Sequence, residues 1–78
     1  MYRVRVNVSG HAREYFPAER LGAWIELSEP CPVARILAGW SVSPELVMAV
    51  FIDGVKAGLE SVAPNGAEIL IVTPPAGG

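Results

Sequence analysis

The residues with the most distinctive chemistry close the chain: Thr73-Pro74-Pro75-Ala76-Gly77-Gly78, directly after the apolar run Ile69-Leu70-Ile71-Val72. A strand that runs into a double proline and then two glycines is built to present its own end, so the group on offer is the carboxylate of Gly78. Proline fixes φ and removes a backbone donor, so Pro74 and Pro75 end a ladder and hold an extended, polyproline-like path. Gly77 and Gly78 lack a Cβ, which lets a narrow tunnel close on them from all sides. From Pro74 onward the segment reaches roughly 15 Å at ~3.3 Å per residue, enough to enter another protein's active site. A frayed end is the alternative, because terminal residues and Pro/Gly-rich segments are commonly unordered.

The other reactive side chains are isolated. His11 is the only histidine, with no Cys or Asp at triad or ligand spacing, and reads as a loop residue. Cys31 is the only cysteine, so an internal disulfide is excluded and a cysteine-based metal site lacks ligands. It reads as a helix-boundary residue packed on the core rather than a reactive thiol. Lys56, the only lysine, reads as a solvated turn residue. Trp24 and Trp40 read as packing residues, since they come from different elements with no basic residues expected around them. No phosphate-binding loop, acid/base cluster or metal site is present in the pattern, and no bound cofactor is expected.

Composition narrows the setting. The chain has 78 residues, 51% of them hydrophobic, and a net charge of −2 from six Lys plus Arg against eight Asp plus Glu. One domain of this size sits near the lower limit for a self-sufficient core, and the apolar surplus leaves some for a partner. Scattered charge with no basic block argues against nucleic acid, whose binding rests on phosphate neutralisation. No stretch has the length of a membrane span, and residues 1–5 begin an alternating pattern rather than a signal-peptide core. A lone cysteine fits a reducing, cytoplasmic location.

The elements that must position the tail follow from periodicity. Tyr2, Val4, Val6 and Val8 alternate with Arg3, Arg5 and Asn7, the period of a half-buried strand. After an irregular connection with a possible short helical turn near residues 12–16, residues 23–27 alternate again and should pair antiparallel with the first strand. A helix is expected from about Pro32, with Val33, Ile36, Leu37 and Trp40 as its apolar stripe and Gly39 as its stop signal. Residues 47–52 are apolar throughout and predict a well-buried strand. Asp53-Gly54 then predicts a tight turn into a short return strand over residues 55–57. Leu59 and Val62 fall in a partly structured connection, and Pro64-Asn65-Gly66 makes the last turn. Residues 67–72 are apolar on both faces, as a central strand should be. The result is an α+β, ubiquitin-like β-grasp: a mixed sheet of four to five strands, one main helix on one face, a domain over 1–73 and a flexible tail over 74–78.

On these residues the chain resembles the ubiquitin-like sulfur carriers, most closely the small subunit of molybdopterin synthase (the MoaD family) and more distantly the thiamine sulfur carrier (ThiS). The resemblance spans the chain in length and element order. It is specific at Ala12-Arg13-Glu14 after the first strand, at the Asp53-Gly54 and Pro64-Asn65-Gly66 turns, and at the Pro-Pro and Gly-Gly ending. Two features depart from the pattern: Ala76 stands alone between the prolines and glycines, and no glycine follows soon after the Arg13-Glu14 pair.

The resemblance implies that Gly78 is adenylated by an E1-like adenylyltransferase (MoeB/ThiF-like) using ATP and Mg²⁺, and then becomes a thiocarboxylate. It implies that Pro74, Pro75, Ala76 and Gly77 are the segment read by the partner. In the molybdopterin branch the sulfur passes to a pterin precursor in the large synthase subunit, and in the thiamine branch to a thiazole. On this reading the chain supplies no catalytic residues of its own and acts as cosubstrate or small subunit of a sulfurtransferase. Docking would use an apolar patch on the sheet face away from the helix, with Phe51, Leu59, Leu70 and Val72 as candidates. A ubiquitin-like modifier that joins Gly78 to lysines, or an interaction module with an inert tail, are the competing functions.

Overall fold

The computed structural model describes residues 1–75. Five strands form one mixed sheet in the order β2-β1-β5-β3-β4. They are β1 (Tyr2–Ser9), β2 (Trp24–Leu27), β3 (Ala49–Ile52), β4 (Val55–Ala57) and β5 (Glu68–Val72), with helix α1 (Val33–Gly39) between β2 and β3. β5 is central, parallel to β1 and antiparallel to β3. The alternation along β1 is expressed directly: Tyr2, Val4, Val6 and Val8 are buried, while Arg3, Asn7 and Ser9 are exposed. Ile69 and Ile71 of β5 join the same buried layer, together with Ile25 and Val50.

Helix α1 has seven residues, far too few to be stable alone, so packing must hold it. Val33, Ile36 and Leu37 are its buried face, and each aliphatic side chain taken fully out of water contributes about 1.5–3 kcal/mol. Pro32 stands at the N-cap and has no side chain able to cap. The first free amides are met instead by the 59–61 segment, through Val33 N to Ser61 O (3.0 Å) and Ala34 N to Leu59 O (2.8 Å). The helix end differs from expectation. Gly39 is still helical, and the left-handed residue is Ser41 at φ 60°. Ser41 N bonds Ala38 O (3.0 Å) and Val42 N bonds Leu37 O (2.9 Å), the paired closure of a Schellman motif, and Val42 is buried beside Leu37 in the core.

Three other details matter to the tail. The connection after β1 forms a 3-10 turn over His11–Tyr15 whose Ala12 is buried, and Phe16 after it meets the Trp40 ring edge-on at 6.4 Å. The Asp53-Gly54 turn has φ of 50° and 83°, as a two-residue hairpin requires. Asp53 also ties that hairpin to the central strand, its N donating to Glu68 O (2.8 Å) and its Oδ1 accepting from Glu68 N (3.0 Å). Finally, β3 is shorter and more open than the apolar run predicts. It begins at Ala49, Met48 is 61% exposed, and only Val50 is buried, because one face of the strand looks away from the helix.

Candidate functional site

The end of β5 is where the chain leaves the sheet, and its neighbours hold it with more than ladder bonds. Thr73 is buried, and its N donates to Ser9 O (2.8 Å), the last backbone donation this strand makes before Pro74. The Thr73 hydroxyl also donates to Ser9 O (2.9 Å) and accepts from Ala12 N (3.1 Å), so a buried β-branched side chain is fully used. Pro74 has no amide hydrogen but keeps an acceptor, and His11 N donates to its carbonyl at 2.7 Å. On the other side Met48 N donates to Val72 O (2.7 Å). The chain is therefore attached to the body as far as Pro74, while the Pro74 and Pro75 side chains are exposed.

Gly10 makes this close approach possible. It has φ 110° and ψ −172°, a region reached essentially by glycine alone. A Cβ there would lie 2.1 Å from Thr73 O and 2.4 Å from Thr73 Oγ1. Sequence reasoning read the stretch after the first strand only as an irregular connection, and missed both Gly10 and Thr73 as residues that hold the tail. The available signal was a glycine closing one strand and a hydroxyl residue closing its parallel neighbour, directly before residues that cannot donate.

The sheet face opposite α1 carries the second feature. Phe51 and Leu70 are direct cross-strand partners, and Val72 lies two residues along the same face, so the structure brings these three expected contact residues together. Leu70 is 38% exposed, with Phe51 and Val72 partly covered. An open groove of about 440 Å³ beside them is lined by Asn7, Phe51, Asp53, Glu68 and Leu70 among others. Leu59 does not belong to this face. It packs against the buried core, and its carbonyl serves the first turn of α1, because residues 59–62 run along the helix N-terminus rather than across the open sheet.

The same face holds a charged edge that the sequence reading did not expect. Arg5 is opposite Trp24 in the β1–β2 register, and the Arg3 and Arg5 guanidiniums stand 5.0 and 4.8 Å from the Trp24 ring centroid. Arg5 Nε also donates to Glu68 Oε2 at 2.7 Å. Trp24 thus has two basic neighbours, whereas none was expected, and it packs as a cation–π partner with 42% of its surface exposed.

The remaining candidates are plain. Cys31 is buried in the core, His11 contributes its backbone rather than its ring, and Lys56 is exposed. Burial raises the Tyr2 phenol above its ordinary value, with the nearby Cys31 adding a smaller push in the same direction, and the Tyr2 hydroxyl donates to Ala63 O. Among the described residues no group of His, Cys, Asp and Glu is arranged to hold a metal, and no helix is long and apolar enough to cross a membrane. Ala76, Gly77 and Gly78, on which the expected chemistry falls, lie outside the described residues.

Compared with known proteins, the chain matches no family model, no curated protein and no solved structure.

Proposed function

We propose that this chain is a β-grasp sulfur carrier of the cytoplasm whose working group is the carboxylate of Gly78. A carboxylate is a poor electrophile because its negative charge is shared by two oxygens and neither can leave. Bound to an E1-like partner, that carboxylate would attack the α-phosphorus of ATP, breaking the bond to the β-phosphate, releasing pyrophosphate and forming the acyl-adenylate. Sulfide would then attack the acyl carbon and displace AMP, leaving a thiocarboxylate. The ATP and Mg²⁺ contacts belong to the partner, since this chain brings no phosphate-binding loop.

The supporting observation is the placement of the tail's root. The chain leaves from the end of the central strand, anchored at Thr73 and Pro74, beside the apolar strip of Phe51, Leu70 and Val72. A partner that covers the strip also stands over the emerging segment, so docking and delivery can be one event. Within the carrier class the reading is the small subunit of molybdopterin synthase, with sulfur passing to a pterin precursor in the large subunit.

The test is intact mass after incubation with an E1-like enzyme, ATP and sulfide, with a chain lacking Gly78 as control. The expected result is a gain equal to exchanging one oxygen for sulfur, absent from the control. No gain with several competent activating enzymes would overturn the proposal in favour of an inert-tailed interaction module. Adducts on lysines of other proteins would reassign the chain as a modifier. Transfer to a thiazole rather than a pterin would keep the carrier and move it to the thiamine branch.

A further inference from the structure

We infer that Gly10, Thr73 and the amides of His11 and Ala12 form a clamp that aims the departing chain, making Gly10 and Thr73 positioning residues for whatever receives the tail. The inference rests on the carrier function proposed above and adds to it a reason why the tail starts from a defined direction.

A strand can end with its last ladder bond and nothing more, leaving its continuation to pivot about one residue. Here Thr73 is held through both its backbone and its side chain, by Ser9 O and Ala12 N. Being followed by proline, Thr73 is also restricted to extended backbone. Pro74 and Pro75 have their φ angles locked by their rings. The soft dihedrals left between the sheet and Pro75 are then the ψ angles of Thr73 and Pro74, and the bond from His11 N to Pro74 O pins the peptide that the second of these turns. Orientation at the sheet is passed on to Pro75 with little freedom gained between. The arrangement costs something locally, because it requires the glycine-only backbone of Gly10 within van der Waals contact of Thr73.

If the aimed state is the one a partner accepts, apparent affinity falls in proportion to the fraction of molecules that occupy it. Thr73→Val keeps the shape of the side chain and removes the hydroxyl, leaving Ala12 N without its acceptor. Thr73→Ser keeps the hydroxyl. Asn65→Ala serves as a comparison, since it deletes a side-chain bond of the same kind, Arg3 N to Asn65 Oδ1 (2.9 Å), at the opposite end of the sheet.

The experiment measures KM and kcat for adenylation of full-length carrier by an E1-like enzyme, alongside amide hydrogen exchange in the free protein. With Thr73→Val, the hydroxyl's bonds to Ala12 N and Ser9 O are both lost, and KM should rise severalfold with kcat nearly unchanged as the aimed fraction falls. Exchange at His11 and Ala12, which follows the opening equilibrium directly, should accelerate by about tenfold or more. Thr73→Ser should restore both, and Asn65→Ala should leave both as in the wild type. An active wild type whose KM does not respond to Thr73→Val, or a KM that rises equally with Asn65→Ala, overturns the clamp. A wild type that no activating enzyme adenylates overturns the carrier function instead. The clamp is then decided by exchange alone, and unprotected His11 and Ala12 amides overturn it.

Discussion

Gly10→Ala is the substitution on which the description of the tail root depends most directly. The new Cβ would sit 2.1 Å from Thr73 O, 2.4 Å from Thr73 Oγ1 and 2.7 Å from Thr73 C, whereas real Cβ contacts essentially never fall below 3.0 Å. The oxygen belongs to the backbone of a buried residue and cannot swing aside, so either the 9–12 segment or the strand end must move by close to an ångström. Holding a non-glycine residue at φ 110° costs about 1–3 kcal/mol by itself. Movement away from Thr73 also breaks the bonds from Ala12 N and His11 N, at about 1 kcal/mol each. The sum is about 3–5 kcal/mol, against a total stability of about 4–12 kcal/mol for a domain of this size.

Urea unfolding should therefore show a midpoint lowered by a large fraction of its wild-type value, with little change in slope. Gly54→Ala isolates the contact from the backbone strain. Gly54 also has positive φ (83°), but a Cβ there meets nothing within 4 Å, so it should cost only the conformational part, about 1 kcal/mol. If Gly10→Ala lies within about 0.5 kcal/mol of Gly54→Ala and keeps its His11 amide protected, the close approach of residues 10 and 73 is wrong.

Three further outcomes follow from other parts of the structure. Ser41→Gly should stabilise the domain by up to about 1 kcal/mol in urea unfolding, because it relieves the left-handed strain at φ 60° while the Schellman bonds are made by backbone. Tyr2 has a raised folded pKa through burial, so the folded state holds its proton more tightly than the unfolded state does. Its contribution is complete below the ordinary pKa of 10.0 and is lost as pH rises from there through the folded value. Tyr2→Phe should therefore flatten the alkaline fall in stability and, by removing the bond to Ala63 O, cost about 1–2 kcal/mol at neutral pH. Leu70→Glu, on the open face, should change stability by less than about 1 kcal/mol yet abolish capture by a partner that covers Phe51 and Val72. Undiminished capture would remove this face as the docking surface.

The elements were legible wherever one short-range rule decided them. The Tyr2, Val4, Val6, Val8 alternation, the Asp53-Gly54 turn and the Val33, Ile36, Leu37, Trp40 stripe each answer to a repeat or a dihedral preference within a few residues, and they stand as expected except that Trp40 falls at the helix C-cap, half-buried against the core. The central position of β5 was legible from its two apolar faces. The expectation of a well-buried strand over residues 47–52 overreached, because an uninterrupted apolar run records which residues tolerate burial and not how many faces receive it. β3 turns only one side to the core, where Val50 is buried, and Phe51 on the other side is free to meet Leu70. Gly39 misled for a related reason: glycine permits a left-handed helix end but does not compel it. The burial of Val42 against Leu37 set the end two residues later, at Ser41.

The sequence by itself determined the α+β composition, the order of strands about one helix, and the presence of Pro74 and Pro75 after an apolar strand, because these depend on neighbours in the chain. Tertiary structure alone decided which residues meet at the tail root and on the open face. Ala12 and Thr73 are 61 positions apart and Arg5 and Glu68 are 63 apart. Their contacts exist only because β1 and β5 run parallel in one register, and a shift of one residue would turn each of these side chains to the opposite face. Leu59 was placed on the docking face by hydrophobicity and packs against the core because the chain there runs along the N-terminus of the helix. Periodicity says which side of its own element a residue occupies. Only the packing of elements says what that side meets.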